Sequence, residues 1–136
     1  MKKVMLFLLI ISIVCTLSPS IAAEENIDIQ PRYTFITGIL IDFTISPNGC
    51  AEYTSKASPS DLYKTTVESK LQKKVNGIWI TEHSSSETGI GKTTDSGTYW
   101  VFEGTYRVSV IVKIYDGNNN LIERVSEVSS SRTYSG

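Results

Sequence analysis

Histidine occurs once in the 136 residues, at His83, and cysteine twice, at Cys15 and Cys50. A zinc site needs three or four His, Cys or acidic ligands, which so few His and Cys argue against, and a serine or cysteine triad needs a histidine, so a triad would have to run through His83. That residue precedes Ser84, Ser85 and Ser86 at the end of a predicted strand, and no glycine-flanked nucleophile elbow surrounds any serine. It reads as a surface histidine. Leucine and alanine, among the best helix formers, are nearly missing beyond residue 23, where the chain holds 4 Leu and 2 Ala. Asn-x-Ser/Thr sequons are absent as well.

What is present begins with a leader. Lys2 and Lys3 precede an apolar run from Val4 to Leu17, followed by Ser18, Pro19, Ser20, Ala22 and Ala23, the pattern of a secretory signal peptide over residues 1–23. The run is shorter than the roughly 20 residues of a spanning helix. Cleavage is expected after Ala23. Bulky Ile13 and Val14 before Cys15 argue against a lipoprotein cut there. Losing Lys2 and Lys3 moves the net charge from -1 to -3, which predicts no bulk attraction to nucleic acid or an anionic membrane. Cys15 leaves with the leader, so Cys50 has no intramolecular partner and reads as a half-buried strand residue rather than an intermolecular disulfide or reactive thiol.

The mature part is rich in strand formers, with 20 Ile plus Val, 13 Thr and 12 aromatic residues. This predicts an all-β chain. Residues 24–32 form an acidic lead-in closed by Pro31, residues 33–128 the β domain, and residues 129–136 a polar tail. In the first strand, Phe35 to Ile45, the odd positions Ile39, Ile41, Phe43 and Ile45 are apolar; Pro47, Asn48 and Gly49 then turn the chain. Cys50 to Ala57 sets Ala51, Tyr53 and Ala57 against Glu52, Thr54 and Lys56. Tyr63, Thr65, Val67, Ser69 and Leu71 alternate with Lys64, Thr66, Glu68, Lys70, Gln72 and Lys74.

Asn76 and Gly77 mark a hairpin, with Ile78 to His83 returning. A three-residue loop with a glycine bulge is preferred there, turning Trp79 inward beside Leu71; a two-residue turn would instead face Ile78 and Ile80 to the core. Ser84 to Gly91 is a polar stretch, and a fifth strand runs from about Lys92 through Tyr99 to Phe102. Tyr106, Val108, Val110, Val112 and Ile114, opposed by Arg107, Ser109, Ile111, Lys113 and Tyr115, make the longest apolar face and so the central strand. Leu121 to Val128 is the last of about seven strands. Their spacing predicts an antiparallel two-sheet sandwich.

Pro31, Arg32, Tyr33, Thr34, Phe35 and Ile36, then Leu71 to Lys74 leading to Asn76, Gly77 and Trp79, then Gly104 to Val108, resemble a family of short, uncharacterised secreted proteins of Gram-positive bacteria. The resemblance spans nearly all of the mature chain and implies no substrate. Gly104, Tyr106 and Val108 also resemble the start of a central immunoglobulin-type strand, whose tyrosine forms a tyrosine corner. Asp95, Gly97, Tyr99 and Val101 share that spacing. An immunoglobulin-like sandwich is what this resemblance implies.

Three further patterns bear on chemistry. Asp116, Asn118, Asn120 and Glu127 fall at ligand positions of a calcium loop, but Leu121 stands where the turn glycine belongs, Arg124 brings a positive charge, and the flanks are strands; a hairpin turn is the better reading. Fourteen acids leave a glycosidase carboxylate pair open on paper, yet so small a sandwich with short loops has little room for a deep cleft. Lys64, Lys70 and Lys74 read first as a solvated face interrupted by Glu68, and second as a contact for anionic wall polymer or polysaccharide. Trp100 points away from Tyr99 and Val101, so that with Phe102 it forms either a recognition patch or a pair covered by a loop.

The expectation is a secreted, non-catalytic β-sandwich binding or interaction module acting outside the cell, with a growth-inhibiting effector polypeptide as the alternative. Its candidate binding residues are Trp100, Phe102, Lys64, Lys70 and Lys74. The expected partner is an extracellular polymer or protein, such as a cell-wall glycan or a surface protein. No cofactor, metal, nucleic acid or membrane span is expected, and a monomer is favoured.

Overall fold

Alternation of apolar and polar residues drives the chain from Tyr33 onward into strands. The computed structural model describes residues 33–136; the expected signal peptide (1–23) and acidic lead-in (24–32) lie outside them. The strands are β1 (Ile36–Ile45), β2 (Cys50–Pro59), β3 (Lys64–Val75), β4 (Ile78–Ile90), β5 (Thr93–Trp100), β6 (Gly104–Tyr115), β7 (Leu121–Val128) and β8 (Arg132–Tyr134). They pair antiparallel in two sheets, β1-β2-β5 and β4-β3-β6-β7, with β8 extending the β7 edge of β6. Among the described residues no helix is long and apolar enough to cross a membrane.

Ile36, Phe43, Ala51, Tyr53, Ala57, Val67, Leu71, Val101 and Tyr106 are buried between the sheets. Val108, Val110, Val112 and Ile114 of β6 are fully buried. Each such side chain stabilises by about 1.5–3 kcal/mol relative to an exposed one, and β6 can bury all four because β3 flanks it on one side and β7 and β8 on the other. At its start the Tyr106 hydroxyl donates to the Phe102 carbonyl at 2.8 Å. This is a tyrosine corner, and together with the strand order it makes the sandwich immunoglobulin-like, with the fourth strand paired to the third. The rival Tyr99 lies half-buried on edge strand β5, stacked on His83 at 5.1 Å.

Several sequence expectations are corrected. Val75 pairs with Ile78, and Asn76 (φ 51°) and Gly77 (φ 80°) form a two-residue turn, because two consecutive left-handed residues match the twist of the strands they join. Trp79 therefore faces outward. It gains cover from Arg107 and Lys74 instead of the core, while Ile78 and Ile80 remain 66% and 47% exposed at an overhanging end of the sheet. The bulge sits between Leu71 and Gln72, and beyond it His83 and Ser85 face inward.

Ser84 to Gly91 is strand through Ile90, because an edge strand held by backbone bonds to β3 needs no apolar row. The fifth strand ends at Trp100, not Phe102. In the expected polar tail, Arg132–Tyr134 joins β6 as an eighth strand, and Tyr134 packs against Gly49. A shift between Ile36 and Gly38 brings Ile36 into the core.

Candidate functional site

Antiparallel register decides which polar residues of distant strands share a face. On the outside of the five-stranded sheet, Lys64 pairs with Tyr115, Thr66 with Lys113, Glu68 with Ile111, Lys70 with Ser109 and Gln72 with Arg107. Across β6, Lys113 pairs with Arg124 and Ile111 with Ser126. The predicted lysine row thus meets Arg107, Lys113 and Arg124, and Glu68 is the one acid in these rows. Its carboxylate lies 3.3 Å from Lys70. Both groups are about a third exposed, so the pair contributes little to stability and leaves the face cationic.

Two aromatic rings organise this charge. The Arg107 guanidinium lies 4.3 Å from the centroid of the Trp79 ring and Lys74 5.8 Å from it. Gln72 Oε1 accepts a 2.9 Å hydrogen bond from Arg107 Nε. At the other end Lys64 sits 5.3 Å from the Tyr115 centroid and donates to Asn119 Oδ1 at 2.9 Å. Hydroxyls flank these cations, with Thr66 and Thr88 between the two ends at 3.0 Å and Thr105 and Thr133 beyond Arg107 at 3.1 Å.

The acids are turned elsewhere. Glu123 accepts the backbone N–H groups of Thr34 and Phe35, the latter at 2.7 Å, and Glu127 accepts the Tyr33 hydroxyl, which pushes that phenol up to about 12. Asp116 accepts the N–H groups of Asn118 and Asn120 at 2.9 and 2.8 Å; these bonds, Asn120's first, hold its carboxyl below its ordinary value. Its oxygens face its own loop while Glu127 bonds to Tyr33, so the calcium-loop positions do not converge. Among the described residues no group of three or more His, Cys, Asp or Glu is placed to hold a metal ion.

Between edge strands β4 and β5 runs a polar seam. Ser85 Oγ donates to Asp95 Oδ2 at 2.7 Å and meets the Tyr53 hydroxyl at 2.5 Å, with burial raising the Tyr53 pKa. Ser85 is thus bonded to the carboxylate directly, while His83 is stacked on Tyr99. Histidine does not stand between nucleophile and acid as a triad requires. The seam is a satisfied structural network beside the buried Ser69–Ser55 bond of 2.9 Å, and the described residues leave no buried side-chain polar atom unpaired.

The residues singled out from the sequence fall into two places. Lys64, Lys70 and Lys74 lie together on the five-stranded sheet. Trp100 and Phe102 are 63% and 85% exposed, but Trp100 faces outward from the three-stranded sheet, paired with half-buried Cys50. Arg107, Lys113, Arg124 and Trp79 were missed as site residues. The signal for Arg107 and Lys113 was their alternation against the apolar face of β6, read together with pairing of β6 to β3. No protein-family model matches the chain, and no curated protein matches it in sequence.

Proposed function

We propose that the chain is an exported, non-catalytic binding module that acts outside the cell and holds an anionic polymer against the outer face of its five-stranded sheet. The observation that carries this reading is the gathering of Lys64, Lys70, Lys74, Arg107, Lys113 and Arg124 around a single acid, Glu68. A broad, flat sheet face suits a long polymer better than a small molecule, which usually takes an enclosed pocket. Export is supported by Lys2, Lys3, the apolar run and the small residues at 22 and 23. The lysine row of β3 fits an anionic wall polymer as partner.

The test is sedimentation of the purified protein with cell walls before and after their anionic polymers are stripped. Binding should vanish on stripping and fall steeply with salt. Equal binding to stripped walls, or turnover on a panel of glycans and peptides, would overturn the reading.

A further inference from the structure

Of the two guanidinium groups on the basic face, Arg107 and Arg124, Arg107 is the one held by both a ring and a side-chain amide. Its guanidinium lies against the Trp79 ring at 4.3 Å and its Nε is committed to Gln72 Oε1 at 2.9 Å. The ring and that single bond hold the group in place, and among the described residues neither terminal nitrogen is engaged in a hydrogen bond, which leaves both free for a ligand. Lys74 approaches the same ring, at 5.8 Å, and brings an ammonium to the same indole. A planar guanidinium fork matches two oxygens of an anion at once, which a lysine cannot do. A third donor alongside suits a tetrahedral oxyanion, which offers more than two oxygens, better than a planar carboxylate.

We propose that Arg107, positioned by Trp79 and Gln72 and assisted by Lys74, is the specificity-determining anchor of the basic face, and that it selects polymers bearing phosphate or sulfate groups over polycarboxylates. The proposal rests on the polyanion reading above. Lys64 is also held by a ring and a side-chain amide, Tyr115 and Asn119, but it presents a point ammonium with no planar fork; Lys64, Lys70, Lys113 and Arg124 then supply attraction of one sign without discrimination.

The experiment measures binding of the purified protein to inorganic polyphosphate, dextran sulfate and polyglutamate of matched length, across a salt series, with indole fluorescence as a second readout. Trp79 and Trp100 are the two tryptophans, so the fluorescence is read in a Trp100→Phe background. The wild type should prefer polyphosphate and dextran sulfate to polyglutamate and should change its indole emission on binding them.

Arg107→Lys keeps the charge, so the salt slope should stay while affinity for polyphosphate falls about tenfold and the preference disappears. Lys113→Gln should weaken all three polymers alike and make the slope shallower. Gln72→Ala, which frees the guanidinium without removing it, should repeat the loss of preference in part. An Arg107→Lys variant with wild-type preference and affinity would overturn the anchor while leaving the polyanion reading intact. A wild type that binds none of the three would overturn both. Tighter binding to anionic phospholipid vesicles than to any polymer would overturn a polymer as the source of the oxyanion.

Discussion

The two sheets turn very different surfaces to solvent. On the five-stranded sheet the register assembles cations from β3, β6 and β7 and sets two of them on Trp79. On the three-stranded sheet the corresponding rows are Leu40–Lys56–Thr94, Asp42–Thr54–Ser96 and Thr44–Glu52–Thr98, a hydroxyl-rich face with charges of both signs. A net charge of -1 hides this division. At physiological salt charges are screened over about 8 Å, while packed sheets alone stand about 10 Å apart. A polyanion at one face therefore responds to that face and little to the acids on the other.

Charge reversal breaks the comparison most sharply. Lys70→Glu with Lys113→Glu should lower affinity for polyphosphate by about a hundredfold or more at moderate salt, whereas Lys56→Glu on the opposite face should change it less than about twofold. Titrations by fluorescence anisotropy decide this, and equal losses from the two sheets would show that position on the sandwich does not matter. The next effect falls on the core that keeps the faces apart. Tyr106→Ala should cost about 3–5 kcal/mol, but Tyr106→Phe, which loses only the bond to Phe102, about 0.5–1.5 kcal/mol; urea unfolding of both variants separates ring from hydroxyl.

Smaller still is an insertion under the three-stranded sheet. A Cβ at Gly97 would lie 2.2 Å from the Tyr53 ring and hydroxyl, so Gly97→Ala must push Tyr53 off its place, at about 1–3 kcal/mol. Polyphosphate binding should survive it. Trp100→Ala and Cys50→Ser should each leave stability within about 1 kcal/mol and binding unchanged; a large drop in thermal midpoint for either would mean that exposed Trp100 and half-buried Cys50 carry more of the fold than their positions suggest.

The last prediction concerns acid. Asp116 is held below its ordinary value of 3.8 by the N–H groups of its loop, so its contribution is complete above the unfolded value and is lost as pH falls through the lower folded one. The thermal midpoint of Asp116→Asn should therefore lose part of the acid dependence of the wild type, and parallel curves below about pH 5 would exclude a role for that loop.

The core was legible because its signal is local. From Thr65 to Leu71 in β3 and from Tyr106 to Ile114 in β6 every second residue is buried, and that alternation can be read without knowing which strands pair. The cationic face was half legible for the opposite reason: Lys64, Lys70 and Lys74 are neighbours in one strand, but Arg107, Lys113 and Arg124 join them only through the register of β3 with β6 and β6 with β7. Trp79 was misplaced because the preference for burying an indole was set above turn chemistry, and the positive φ of both Asn76 and Gly77 determined the outcome. Ser84 to Ile90 showed no apolar row because an edge strand is held by its backbone. Arg132–Tyr134 is too short to leave a pattern.

Backbone amide shifts recorded while inorganic polyphosphate is added to the isotope-labelled protein test the central claim most directly. The account predicts changes concentrated at Gln72, Lys74, Trp79, Arg107, Lys113 and Arg124, along with the Trp79 indole N–H, and little movement in β1, β2 or β5. Changes centred instead on Trp100, Phe102 and the outer face of the three-stranded sheet would contradict it.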